Sequence, residues 1–204
     1  MSYFLDFTGF LSEKSKKYLI KDVDNVFREL VEYIKTVKSI STTDQYNSFI
    51  KKIISIFKDS KVLPATKSST YEKEIIPISK SSPLTEKTRW GGVALKKVDV
   101  DKNFIKKLLV IAKNGVLGFE VHKQKHENLK VLEGACIVLY SNHASPTWRK
   151  GKISIRLAVP GDRIKFLPYD EHGIVALTNC VIEEESTNHL GDLVYIFRVS
   201  QVAF

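Results

Sequence analysis

The residues best suited to chemistry lie between Gly115 and Gly134, in the run Glu120-Val-His122-Lys-Gln-Lys-His126-Glu127. On a β-strand successive side chains alternate faces, so Glu120 and His122 share one side. The four residues Lys123–His126 are enough for a tight turn, and Glu127 then opens the next strand. Counting by twos, Glu127 points where Leu129 and Val131 point, which is the apolar side. Two carboxylates and an imidazole can thus converge inside a β-structure from adjacent strands, a donor set suited to a divalent metal ion. The bland alternative for Glu120 and His122 is a hydrogen-bonded polar pair on an exposed strand face. A further ligand must come from a distant strand. Downstream of the turn Pro160-Gly161-Asp162 and the run Arg163–Leu167, His172 stands at the start of another apolar run and would complete the set.

The elements that must position these residues read as short strands. From Arg89 onward the apolar period is two, with runs at Gly92–Val100, Phe104–Ala112, Leu117–Val121, Leu129–Tyr140, Lys152–Val159, Arg163–Leu167, Gly173–Leu177 and Leu193–Val199. Asn114-Gly115, Lys150-Gly151 and Pro160-Gly161-Asp162 punctuate them. Many short strands with no helical run between them predict a sandwich or closed barrel. Ahead of them the period is helical. Val23, Val26, Phe27, Leu30, Ile34 and Val37 form one stripe, with Asp22 as a candidate N-cap. Tyr46, Phe49, Ile50, Ile53 and Phe57 form another, opened by Ser41, Thr42 or Thr43. The spacing predicts an antiparallel helical hairpin over 1–60 and an extended, Ser/Lys/Pro-rich linker over 61–87, in which Glu74–Ile78 could add an edge strand.

The segment Gly115–Gly134 resembles the first motif of the cupins: Gly, a short spacer, His-x-His, four residues, Glu, six residues, Gly. Glu120 replaces its first His. Gly161, Pro168, His172 and Asn179 are similar to the second motif, with the Pro-to-His spacing one residue short, the middle Gly missing and the Asn displaced. The resemblance covers about residues 88–200, within a barrel domain of 88–204. It implies a mainly β fold, a double-stranded β-helix or jelly-roll barrel carrying the helical hairpin, and one divalent ion (Mn, Zn, Ni or Fe) on Glu120, His122, Glu127 and His172. Trp90-Gly91, Lys107-Leu108-Leu109 and Leu117–His122 look most like the mannose-6-phosphate isomerase group. That resemblance implies isomerisation or epimerisation of a sugar or sugar phosphate, with the ion stabilising an enediolate. Lys125 aligns with a basic residue near the site in that group. Glu127 or His126 is the candidate base, Lys125 is a third candidate catalytic residue, and Lys125, Arg149 and Arg163 are candidate phosphate ligands. A non-catalytic small-molecule-binding cupin and a metal-dependent oxygenase are the other readings. By parity His126 falls on the surface side of the turn. His143 and His189 lie in polar loops, and Trp90 and Trp148 read as packing residues.

Composition bounds the rest. A net charge of +9 is spread over lysine pairs along the chain, with no Arg-rich recognition helix or basic tail, so nucleic acid is not an expected partner. No apolar run reaches the ~18 residues of a membrane span, and the N-terminus lacks a secretory pattern. Cys136 and Cys180 are far apart in apolar runs, which predicts buried free thiols in a reducing, cytoplasmic setting. An apolar helical face and open sheet edges lead to the expectation of a homodimer.

Overall fold

The computed structural model describes residues 2–20, 23–58, 60–64, 66, 86–88, 90–141, 151–189 and 191–199. Asp22, His143, Trp148, Arg149 and most of the linker, including the Glu74–Ile78 run, lie outside them. The elements are β1 (Phe4–Asp6), α1 (Glu13–Tyr18), α2 (Asp24–Thr36), α3 (Thr43–Lys58), β2 (Glu86–Thr88), β3 (Gly91–Asp99), β4 (Phe104–Ile111), β5 (Val116–His122), β6 (Glu127–Glu133), β7 (Cys136–Ser141), β8 (Lys152–Ala158), β9 (Arg163–Phe166), β10 (Glu171–Ala176), β11 (Cys180–Ser186) and β12 (Leu193–Phe197).

Two six-stranded sheets result. One, the helix-side sheet, has the order β1-β8-β7-β10-β5-β12, and the other, the outer sheet, has β2-β3-β4-β11-β6-β9. From β4 to β7 and again from β8 to β12 the chain passes from one sheet to the other at each strand. The strands β4–β11 thereby form the two interlocked Greek keys of a jelly roll. The fold is mainly β, as the strand pattern predicts.

Parity explains the layers. Along β7, Cys136 and Val138 join the core between the sheets, while Ile137 and Leu139 join a second core under the helices. The helix-side sheet is therefore buried on both faces, which is why Cys136–Leu139 of β7 and Gly173–Ala176 of β10 read as continuous apolar runs rather than alternating ones. Leu30 and Ile34 of α2 and Tyr46, Phe49, Ile50 and Ile53 of α3 lie in that second core beside Phe119, Leu157 and Phe197. The two helices pack on one another. The first residues are not helical: β1 runs parallel to β8, pairing Phe4 with Lys152 and Asp6 with Ser154. A capping box opens α3, in which Thr42 Oγ1 accepts from the Gln45 N–H and Gln45 Oε1 accepts from the Thr42 N–H, each at 3.2 Å. For α2 the N-cap position is Val23, with no side-chain cap bond.

The run expected as one strand over Leu129–Tyr140 breaks into β6 and β7 at Gly134, where φ is +77° and an added Cβ would lie 2.1 Å from the Asn179 carbonyl oxygen. Only glycine fits that turn. Cys136 and Cys180 are free and buried. Among the described residues no helix is long and apolar enough to cross a membrane.

Candidate metal centre

Glu120 and His172 sit directly opposite one another on β5 and β10, in a row across the helix-side sheet that runs Tyr195, Glu120, His172, Tyr140. On the outer sheet the corresponding row is Ile105, Ser186, Glu127, Phe166. The rows face each other between the sheets, and His122, two residues beyond Glu120, completes the group. A register shift beside Gly118 and Phe119 sends Phe119 to the helix side and leaves Glu120 inward.

One ligand atom each from Glu120, His122 and His172 lies within 4.8 Å of the others. His122 Nε2 is 3.9 Å from Glu120 Oε1 and 3.8 Å from Glu127 Oε1. His172 Nε2 is 3.8 Å from Glu120 Oε1 and 3.1 Å from Glu127 Oε2. The ring of Phe166 stacks on His172 at 4.1 Å and 8° and fixes its plane. His172 Nδ1 faces the Asp170 carbonyl at 3.4 Å, the type of partner that orients a ligating imidazole. His122 Nδ1 is buried with no hydrogen-bond partner among the described residues.

Glu127 is also held from its other side. Lys125 Nζ bonds Glu127 Oε1 and reaches Glu184 Oε1 at 2.7 Å, and Lys107 Nζ meets the same Glu184 oxygen at 3.1 Å. Lys125 is placed by its turn, whose Gln124 and Lys125 N–H groups donate to Asp192 Oδ2, while the His126 N–H donates to Thr187 Oγ1.

Burial and charge divide the group. Desolvation lifts Glu120 to about 7 and pushes His122 down to about 4, so the His122 imidazole is neutral near neutral pH. Burial works against the charge of Lys125, yet Glu184 and Glu127 outweigh it and hold the ammonium at about 12. For Glu127, burial is outweighed by the His172 hydrogen bond and charge and by Lys125, which keep the carboxyl far below its usual range. His172 moves up, because Glu127 and Glu120 outweigh its desolvation.

The structure thus gathers Glu120, His122, Glu127, His172 and Lys125. His126 is exposed on the turn, and Arg163 lies on β9 at the sheet edge, away from the cluster. Sequence reasoning missed Glu184 because β11 was not recognised as a strand. The signal was present in Cys180-x-Ile182-x-Glu184-x-Ser186, one inward face ending in a buried carboxylate. Lys107 follows from the same parity on β4.

Two imidazoles and two carboxylates around one space fit a divalent ion of the first transition row. Neutral His122 and the Asp170 carbonyl behind His172 suit ligation.

No protein-family model matches the chain, and no curated protein matches it. Among solved structures it is similar to an oxalate oxidase in complex with glycolate, at 16% identity and TM-score 0.43, over 53% of this chain and 57% of that one. It is similar to an RmlC-like cupin from Shewanella frigidimarina, at 16% identity and TM-score 0.40, over 50% of this chain and 78% of that one. It is also similar to an oxalate decarboxylase from Bacillus subtilis, at 16% identity and TM-score 0.45, over 55% of this chain and 29% of that one.

Proposed function

We propose that this chain is a metal-dependent cupin that isomerises or epimerises a sugar or sugar phosphate. The observation that carries the reading is the convergence of Glu120, His122 and His172 within 4.8 Å, with Glu127 beside them, between the two sheets. These four residues would hold the ion, which when bound supplies a Lewis acid for a carbonyl and a neighbouring hydroxyl.

The chain's own residues supply the rest. Lys125 keeps its proton on Nζ and, held between Glu127 and Glu184, would add a fixed positive charge beside the cluster to offset negative charge that develops on a substrate oxygen. Glu184 anchors that ammonium from the side away from Glu127. Phe166 and the apolar floor of Leu129 and Ile182 exclude water, which strengthens each of these interactions.

A second reading, a non-catalytic small-molecule-binding cupin, has its own support. Lys125 already bonds Glu127 Oε1, and His172 Nε2 lies 3.1 Å from Glu127 Oε2, so the carboxylate has cationic neighbours without any ion.

Proton exchange separates the two. Metal-loaded protein is incubated in D2O with mannose 6-phosphate, fructose 6-phosphate and the free sugars, and proton NMR follows deuterium entering the carbon next to the carbonyl. The enzyme reading expects exchange that falls about 100-fold or more in Lys125→Met, the scale of one removed electrostatic donor. Absence of exchange on every one of these substrates sinks it and leaves the binding reading.

A further inference from the structure

Residues of β7, β8 and β9, with Asp170, line a cavity of about 200 Å³. That volume holds about half a dozen waters, or one carboxylate or phosphate with its adjoining carbon. Its apolar walls are Val138, Ile164 and Phe166, and its cations are Arg156, Arg163 and Lys165. Phe166 is shared: one side of its surroundings is the cavity and another is the stacked ring of His172. The cavity is therefore separate from the metal centre but only a ring's thickness from it.

Arg156 is the unusual member. It pairs across the strands with Val138, whose side chain belongs to the core between the sheets, so the guanidinium also starts inward. Only 34% of its side chain is exposed. An inward cation of this kind is expected to be hydrogen-bonded. Yet its one charged partner among the described residues is Asp162 at 3.6 Å, beyond hydrogen-bond length. Asp162 is already engaged, accepting the Val159 N–H at 2.9 Å and lying 3.3 Å from Lys14 Nζ. One carboxylate thus stands between two cations. The other carboxylate at the cavity, Asp170, accepts the Leu167 N–H at 2.8 Å. The Arg156 guanidinium lines a cavity with a surplus of positive charge and makes no hydrogen bond among the described residues.

We propose that this cavity is a binding site for the carboxylate or phosphate group of a small molecule, with Arg156 as its bidentate ligand. Arg163 and Lys165 add long-range attraction from the rim. The site does not depend on a bound metal ion.

The test uses the full, metal-free chain at fixed ionic strength. Inorganic phosphate and glycolate are titrated separately while nitrogen–proton NMR follows the arginine Nε signals. A saturable shift with one of them is expected, and the ion that produces it tells phosphate from carboxylate. In Arg156→Gln the dissociation constant should rise about tenfold or more, the loss of one charge-assisted bidentate contact. Arg156→Lys, which keeps the charge and loses the fork, should weaken binding severalfold and serves if the glutamine variant does not fold. No saturable shift with either ion, or equal binding by a folded Arg156 variant, overturns the proposal. Metal content is read separately, so failure of the metal centre and failure of this site are distinct results.

Discussion

Lys125 is buried to 4% of its side-chain surface and lives between two carboxylates, Glu127 and Glu184, that are buried to 5% and 3%. A buried ion pair of this kind adds little net stability, but removing one partner strands the other. Glu184→Gln should therefore cost about 3 kcal/mol, read as a lower midpoint in guanidinium unfolding. The double variant Glu184→Gln with Lys125→Met should recover little of that loss, because Glu127 then loses Lys125 and Lys107 still lacks Glu184. A single-variant loss below ~1 kcal/mol would mean that the three charges are effectively solvated. At this scale the sequence was informative where a strand was recognised. Parity alone placed Glu120, His122 and Glu127 inward. Lys125 came from the resemblance and not from parity, because it leaves a turn where alternation has no meaning and its position depends on half-buried Asp192, some 67 residues away.

At the level of elements, the strands were legible and their partners were not. The period-two pattern marked β3, β4, β5, β8, β9, β10 and β12, and the helical stripes marked α2 and α3. It missed β1, which has only three residues and owes its form to pairing with β8. That pairing carries a testable ion pair. Asp6 Oδ2 is 2.6 Å from Lys152 Nζ, and Asp6 Oδ1 accepts the Thr8 N–H at 3.0 Å. Partial burial alone would raise the Asp6 carboxyl, but Lys152 and Thr8 outweigh it and lower it. A folded value below the unfolded one gives stability that is present above the unfolded carboxylate range, about 3.9, and lost as pH falls through the folded value. Lys152 is 44% exposed, so solvent screens the pair. Asp6→Asn should cost at most about 1 kcal/mol at neutral pH, and the difference from the parent should close in acid, once both forms are uncharged. A difference independent of pH would assign the role of Asp6 to hydrogen bonding instead.

For the whole molecule, what matters is that one sheet is buried on both faces. Helices α2 and α3 cover the back of the strands whose fronts carry Glu120, His122 and His172, so the backbone beneath the cluster is held from behind by Tyr46, Phe49 and Phe119. A centre on a sheet fixed in this way stays in place when one inward side chain is changed. The jelly-roll path could be expected from many short strands, and the cupin-like spacing pointed to the facing pair of rows. Neither could disclose the cavity lined by β7, β8 and β9. Arg156 reads in sequence as one polar residue in an alternating strand, and its inward side becomes apparent only when the outer sheet is in place.

The central claim is that the cluster between the sheets holds one divalent ion, and elemental mass spectrometry of the purified protein, beside a His122→Ala variant, tests it most directly. The account predicts about one equivalent of a transition metal in the parent after loading with manganese, zinc, nickel or iron, lost in a variant that keeps the parent's circular dichroism. No metal in the parent after loading with each of the four ions, or metal equally retained in His122→Ala, would contradict it.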